Sequence, residues 1–194
     1  MKRVLITLGL IISFCLQINA QDAFSKRALI IVDVQEFYFP DGFSPLVEPE
    51  KASEKAGVIL NDFRDKDELV VHVKHATKKD SLIHEDVFPI KGEKVITKHF
   101  ANSYKETDLL EFLQQNDITE VVVCGMMTHM CVEATARASA DFGFKVIVVD
   151  DACATKDIVY ENDTVKAADV HLSTLGSIDR YYGKVMTTKE FLNQ

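Results

Sequence analysis

The amino-acid sequence predicts an α/β fold in which helices cover both faces of a parallel sheet, giving three layers. Two observations predict it. Short apolar runs rich in valine and isoleucine are typical of strands buried on both faces, and they alternate with segments whose apolar residues recur at helical spacing. Such alternation is typical of a Rossmann-like sheet with right-handed crossovers. The chain has 194 residues, 47% of them hydrophobic, which corresponds to about one domain.

Six apolar runs are the candidate strands. In chain order they span residues 28–32, 69–73, 95–97, 121–124, 146–149 and 185–187.

The segments between these runs predict the helices. Residues 52–63 carry an apolar face, residues 109–113 a shorter apolar stripe, and residues 165–175 another apolar face. Residues 128–142 are also predicted to be helical, and Gly143 would then stand just after the helix end, where glycine is favoured.

The first twenty residues predict an export signal. Two basic residues precede an apolar run over residues 4–16, and Ala20 supplies the small residue typical of a cleavage site. We therefore expect residues 1–20 to be removed, leaving one domain over residues 21–194, in the bacterial periplasm and free of the membrane. A retained anchor is the alternative, but the run is short for a transmembrane helix.

Charge and cysteine usage exclude several classes of function. The formal net charge is −8 and there is no block of basic residues, so the phosphate backbone of a nucleic acid would be repelled. Three cysteines remain after signal removal, namely Cys124, Cys131 and Cys153. An odd number leaves at least one thiol unpaired. No CxxC motif and no cysteine–histidine spacing typical of zinc sites is present, so we expect neither a metal nor a cofactor.

Two reactive residues follow candidate strands. Ligands of open parallel sheets bind beyond the carboxyl ends of the strands, and Asp33 and Lys98 stand at two such ends. Partial burial beside an apolar run raises the pKa of an acid, which would make Asp33 a proton acceptor; an ordinary loop or helix cap is the alternative. Lys98 would stabilise a neighbouring thiolate, whereas a lone lysine after a strand is more often a solvated charge.

Cys131 is the candidate nucleophile. Thr128 is a plausible N-cap, which places Cys131 in the first turn of a helix, where the helix dipole and unpaired N–H groups favour a thiolate and could bind an oxyanion. The alternative is that the cysteine is a small buried hydrophobe. That interpretation is preferred for Cys124 and Cys153.

These features together resemble the isochorismatase-like hydrolases from about residue 27 to residue 186. The matching stretches are residues 28–35, residues 72–75, Lys98 with Ser103 and Thr107, residues 125–132 and residues 151–152. The resemblance implies a six-stranded, mostly parallel sheet with strand order 3-2-1-4-5-6. It also implies a cis peptide bond at Met126–Met127 or Met127–Thr128, in a segment whose N–H groups, those of Met127 and Cys131, face an oxyanion.

Within that superfamily the presence of Cys131 indicates the cysteine-hydrolase branch, because isochorismatases themselves cleave a vinyl ether without a thiol. The resemblance implies hydrolysis of a small amide or ureido carbon–nitrogen bond through Asp33, Lys98 and Cys131. Gln35, Phe37, His75 and His129 are the residues expected to line the substrate pocket. A homo-oligomer is also implied.

Three other functions are carried as alternatives. Nicotinamidases of the branch bind a metal through an Asp-x-His motif, which is missing here, although His72, His75 and His84 lie in the corresponding region. A non-catalytic small-molecule-binding protein and a thiol redox protein are the others. The intact set of three reactive residues argues against pure binding, and the lack of a resolving cysteine argues against redox work.

Overall fold

The computed structural model describes residues 26–77 and 81–194. The predicted export signal, residues 1–20, lies outside the described residues.

The central sheet has six strands in the order β3-β2-β1-β4-β5-β8, and every adjacent pair is parallel. The predicted fold class and strand order are therefore confirmed, and each predicted run overlaps one strand of this sheet. In chain order the strands are β1 (Arg27–Val32), β2 (Leu69–His75), β3 (Lys94–Lys98), β4 (Glu120–Met126), β5 (Lys145–Ala154), β6 (Ile158–Tyr160), β7 (Asp163–Val165) and β8 (Lys184–Met186). Strands β6 and β7 form a separate antiparallel hairpin, which the sequence did not predict.

The described residues form five α-helices: α1 (Pro49–Asp65), α2 (Leu109–Gln115), α3 (Glu133–Asp141), α4 (Ala167–Tyr181) and α5 (Thr188–Leu192). None of them is both long and apolar enough to cross a bilayer. Helix α1 packs with α5, and α3 packs with α4. Since β1–α1–β2 and β4–α3–β5 run in opposite directions from the sheet centre, right-handed crossovers place the two helix pairs on opposite faces.

One predicted helix boundary is wrong. Val165 was expected on the apolar face of a helix, but it lies in β7 and is exposed. Helix α4 begins two residues later because Asp157 accepts a hydrogen bond from the Ala167 N–H at 2.8 Å, which satisfies one of the unpaired donors at the helix start. The Gly143 prediction is confirmed: it follows the end of α3 with φ +89°.

Strands β1 and β4 form the centre of the hydrophobic core. Leu29 and Ile30 of β1 and Val122 and Val123 of β4 are fully buried. Each such side chain stabilises the fold by about 1.5–3 kcal/mol relative to an exposed one. The ends of these two strands are therefore a rigid base for whatever side chains follow them.

Gly125 allows β1 and β4 to approach closely where both strands end. It is paired with Val32, its φ is +122°, and a Cβ at this position would lie 2.0 Å from the Val32 carbonyl oxygen. Only glycine adopts such a backbone without a side-chain clash. Because Asp33 directly follows Val32, this contact brings Asp33 against the segment that contains Cys131.

We predict that Gly125→Ala lowers the free energy of unfolding by about 3 kcal/mol or more, since it adds both a steric clash and an unfavourable φ. Urea denaturation of the purified variant measures this. The matched control is Gly176→Ala in α4, where an added Cβ meets no atom within 4 Å and should stabilise the helix by about 0.5–1 kcal/mol. A wild-type midpoint for Gly125→Ala would contradict the close approach.

Candidate active site

Asp33 stands at the carboxyl end of β1, at the point where the strand order reverses. Its φ of +51° lies in the left-handed region, which aspartate tolerates better than most residues. Its N–H donates to the Val73 carbonyl at 2.8 Å, so the backbone stays tied to β2 while the chain turns. The side chain is completely buried.

Lys98 ends β3 and reaches across β2 to Asp33. Its Nζ donates to Asp33 Oδ2 at 2.6 Å, and both side chains are 0% exposed. A second contact joins Nζ to Nδ1 of His75 at 3.0 Å. The interpretation of Lys98 as a solvated surface charge is therefore wrong, because its ammonium is fully enclosed and paired.

Cys131 lies in a π-helical turn, Thr128–Val132, that precedes α3. Its sulfur, a carboxylate oxygen of Asp33 and a ring nitrogen of His75 lie within 4.8 Å of one another. The structure thus brings the three reactive residues of the sequence together, from three separate stretches of chain. The peptide bond Met126–Met127 just before this turn is cis, the first of the two positions that the resemblance implied.

The protonation states differ from those expected of a helix start. Burial, followed by the charge of Asp33, raises the pKa of Cys131 to about 12, although Lys98 opposes this shift. The resting sulfur is therefore a neutral thiol and not the thiolate that the helix dipole alone favours. Burial also raises the pKa of Asp33, against the charge and hydrogen bond of Lys98, in the direction expected from its strand-end position.

Asp33 has one carboxylate oxygen available to receive a proton. Oδ2 accepts a hydrogen bond from Lys98. The buried Oδ1 has no hydrogen-bond partner among the described residues. A buried acceptor without a partner is costly. The Cys131 thiol interacts with the Asp33 carboxylate through a side-chain hydrogen bond, so it is the group placed to supply a proton to Asp33.

Thr128 does not cap the helix as predicted. Met127 occupies the N-cap position, without a side-chain cap. The Thr128 hydroxyl instead lies 2.9 Å from Nδ1 of His171 on α4. The His129 ring likewise contacts the hydroxyl of Thr155, the residue just after β5. The side chains of Thr128 and His129 thus anchor the turn that contains Cys131 to α4 and to the segment after β5.

The two other residues predicted to line the pocket, Gln35 and Phe37, are both buried. Gln35 is fully enclosed, and its amide contacts the backbone of His75 and Ser81; it shapes the site through those segments. Phe37 is nearly buried, and its ring stacks on Phe43 with centroids 4.9 Å apart.

Sequence reasoning missed Tyr38. This residue is 5% exposed, and burial followed by the charges of Asp33 and Cys131 raises the pKa of its phenol. The phenol is therefore a neutral hydrogen-bond donor beside the reactive groups. Its place three residues after the Asp33–Gln35 motif is the signal that could have identified it.

The loop after Lys98 is held by hydroxyl groups. Ser103 Oγ lies 2.7 Å from Thr135 Oγ1, and the Tyr104 hydroxyl lies 2.7 Å from Ser139 Oγ. Both partners are on α3, the helix that follows Cys131. These hydrogen bonds hold the loop that follows Lys98 against α3, the helix that follows Cys131.

The three histidines considered as metal ligands do not converge. His72 is buried in β2, with Nε2 2.8 Å from Glu93 Oε2, and His84 stacks on Phe39 with centroids 3.8 Å apart. Among the residues that the structure describes, the group with metal-type donors is Asp33, His75 and Cys131. Lys98 already bonds acceptor atoms of the first two, so an ammonium takes the place that a metal cation would need.

Comparison with known proteins places this chain in a family. The model of the isochorismatase domain matches residues 27–190. The isochorismatase family protein YddQ of Bacillus subtilis (strain 168) is 40% identical over 176 residues, which covers 85% of this chain and 98% of that protein. Maleamate amidohydrolase of Pseudomonas putida (strain KT2440) is 28% identical over 195 residues, with coverages of 87% and 86%.

A solved structure agrees with these relatives. The crystal structure of a cysteine hydrolase from Pseudomonas syringae pv. phaseolicola 1448A superposes with a TM-score of 0.82 at 25% identity, over 87% of this chain and 91% of that chain.

We predict that Lys98→Met lowers the free energy of unfolding by about 3–5 kcal/mol, because it leaves the Asp33 carboxylate buried without its cation. The double variant Lys98→Met/Asp33→Asn should recover part of that loss. Lys94→Met, on the same strand, removes only a partly exposed pair with Asp108 and should cost about 1 kcal/mol or less. Urea denaturation at pH 7 measures all three, and equal losses for Lys94 and Lys98 would contradict the buried pair.

Proposed function

This chain belongs to the isochorismatase family of hydrolases, and from that premise we propose that it cleaves a carbon–nitrogen bond of a small amide or ureido compound through Cys131. The observation that carries the proposal is the convergence of a carboxylate, an ammonium and a thiol in one buried cluster. An acid that accepts a proton beside a thiol is the usual arrangement for activating a cysteine nucleophile.

The first step forms the acyl-enzyme. Asp33 takes the proton of the Cys131 thiol, and the sulfur attacks the carbonyl carbon of the substrate. Negative charge moves to the carbonyl oxygen, and backbone N–H groups of the Met126–Cys131 segment are the donors assigned to it. The carbon–nitrogen bond then breaks, and the nitrogen leaves as ammonia or an amine with the proton returned by Asp33.

The second step releases the acid. Asp33 takes a proton from water, whose oxygen attacks the thioester carbon. The carbon–sulfur bond breaks, the thiolate recovers a proton from Asp33, and the carboxylic acid departs. No further oxidant, reductant or co-reactant enters, so two buried charges and one thiol are sufficient for the cycle.

The electrostatics of the cluster support this order of events. The thiol has a pKa raised to about 12 by burial and by the charge of Asp33, so the thiolate forms only as the proton moves to Asp33. That transfer neutralises the carboxylate, which removes its repulsion of the thiolate and leaves the Lys98 ammonium as the nearest charge. Lys98 thus stabilises the sulfur anion in the step where it exists.

The activities for which two relatives are named support this type of bond. The maleamate amidohydrolase of Pseudomonas putida is named for hydrolysis of an amide, and the compared crystal structure is named a cysteine hydrolase. We therefore assign small primary amides and ureido acids as the substrate class.

We predict that Cys131→Ala reduces ammonia release by on the order of a thousandfold or more, since it removes the nucleophile. Cys124→Ala, which removes a buried thiol of β4, should keep near wild-type turnover. An ammonia-release screen over small amides and ureido acids, with maleamate included, measures both. Equal turnover by wild type and Cys131→Ala would eliminate the thiol mechanism, and a stable complex without turnover would indicate a binding protein.

We further propose that the protein is exported to the periplasm after loss of residues 1–20 and that it forms a homo-oligomer. The apolar Val159 and Tyr160 are about three-quarters exposed on the β6–β7 hairpin, which supports a covered surface in an assembly. Intact-mass measurement of periplasmic protein should give a chain that begins at Gln21. Light scattering should give a multiple of that mass, and a monomer at micromolar concentration would contradict the assembly.

A further inference from the structure

His75 is held at its backbone and at its ring by two different residues. The Gln35 side chain accepts the His75 N–H at 2.7 Å and donates to the His75 carbonyl at 3.3 Å. The ring nitrogen Nδ1 lies 3.0 Å from Lys98 Nζ. A side chain fixed at both ends in this way has little freedom to move, so the ring orientation is set by the site.

The contact with Lys98 also sets the proton position on the ring. An ammonium group only donates hydrogen bonds, so Nδ1 must be the acceptor and cannot carry a proton. The imidazole is therefore neutral, with its hydrogen on Nε2. The lone pair of Nδ1 therefore accepts the hydrogen bond from Lys98.

Two fixed bonds determine where the third N–H of the ammonium points. One N–H goes to Asp33 Oδ2 at 2.6 Å and one to His75 Nδ1. An ammonium has tetrahedral geometry, so the remaining N–H has a defined direction. It lies in a cluster in which a carboxylate oxygen of Asp33, a ring nitrogen of His75 and the Cys131 sulfur are within 4.8 Å of one another. Without His75, Lys98 would lose one of these two acceptors, and its ammonium could rotate about the bond to Asp33.

We propose that His75 is a positioning residue for the hydrolysis: its Nδ1 holds the Lys98 ammonium so that one N–H is directed to the Cys131 sulfur. The inference rests on the proposed function, because it assigns a role within that same reaction. It is distinct from lining the substrate pocket, which would depend on the outer edge of the ring and not on Nδ1.

The arrangement predicts a pH dependence. The charged and titratable groups that face the ring are Asp33 at the end of β1, Lys98 and His99 at the end of β3, and Cys131 in the turn that follows β4. Burial, then the charges of Lys98 and His99, lower the pKa of His75, and only Asp33 raises it. Lys98 is held while the ring is neutral, above this pKa, and is released as the pH falls through it.

Two substitutions separate the nitrogens of the ring. In His75→Asn the side-chain amide stands near the position of Nδ1 and can accept from Lys98, whereas in His75→Gln the amide stands near the position of Nε2. We expect His75→Gln to lower kcat by about tenfold to a hundredfold with little change in KM, and His75→Asn to retain kcat within about threefold. His84→Gln, at a histidine stacked on Phe39, is the control.

The pH profile gives a second readout. In His75→Asn no ring titrates at this position, so one fewer group has to lose a proton before the enzyme is active. The slope of log kcat against pH on the acid side should therefore fall from about two to about one. Equal losses in the Asn and Gln variants, or an unchanged acid limb in His75→Asn, would overturn the role of Nδ1.

Alkylation of Cys131 by iodoacetamide tests the same role without any substrate. Cys131→Ala supplies the background from the other thiols, and thermal unfolding confirms that each variant is folded. His75→Gln should slow alkylation of Cys131 by about tenfold, because its thiolate loses the directed N–H, and His75→Asn should not. Equal alkylation rates in all variants would reject the inference even if hydrolysis depends on Cys131. A wild type without Cys131-dependent hydrolysis would reject the proposed function and leave this measurement interpretable.

Discussion

The buried ion pair between Lys98 and Asp33 is the interaction on which the rest of the site depends. It joins residues 65 positions apart across the end of β2, and both side chains are fully enclosed. Removing two charges from water costs several kcal/mol for each ion, and this cost is offset only by close geometry and further hydrogen bonds. The second acceptor of the ammonium, His75, and the backbone clamp from Gln35 supply those bonds. Stability and the proposed reactivity therefore depend on the same atoms.

In the proposed mechanism the pair also accounts for how a neutral thiol would serve as a nucleophile. The charged Asp33 carboxylate makes ionisation of Cys131 unfavourable. This repulsion ends once Asp33 has taken the proton. In the proposed mechanism Lys98 lies beside both groups, so its ammonium stabilises whichever of the two is the anion. The sheet sets the geometry of the site. Gly125 lets β1 and β4 approach closely at the point where the strand order reverses. The hydrogen bond between the Ser103 and Thr135 hydroxyls holds the loop after Lys98 against the helix after Cys131.

The sequence could predict features that depend on local pattern. Valine-rich runs identified the strands, and strand-end and helix-start positions indicated Asp33, Lys98 and Cys131 one by one; the resemblance to the isochorismatase-like hydrolases assigned them to one site. Features that depend on distant contacts could not be predicted. Thr128 has the local signature of an N-cap, but its hydroxyl lies against His171, 43 residues away. The thiol pKa likewise follows from burial beside Asp33 and not from the helix end.

The most direct test of this account is intact-mass spectrometry of protein quenched during turnover of an amide substrate. We expect a mass increase equal to the acyl part of the substrate, located by digestion on the peptide that contains Cys131. The increase should be absent from Asp33→Asn protein, because its thiol keeps its proton. Rapid hydrolysis with no adduct under any quench, or an adduct on another residue, would contradict the assignment of Cys131 as the nucleophile.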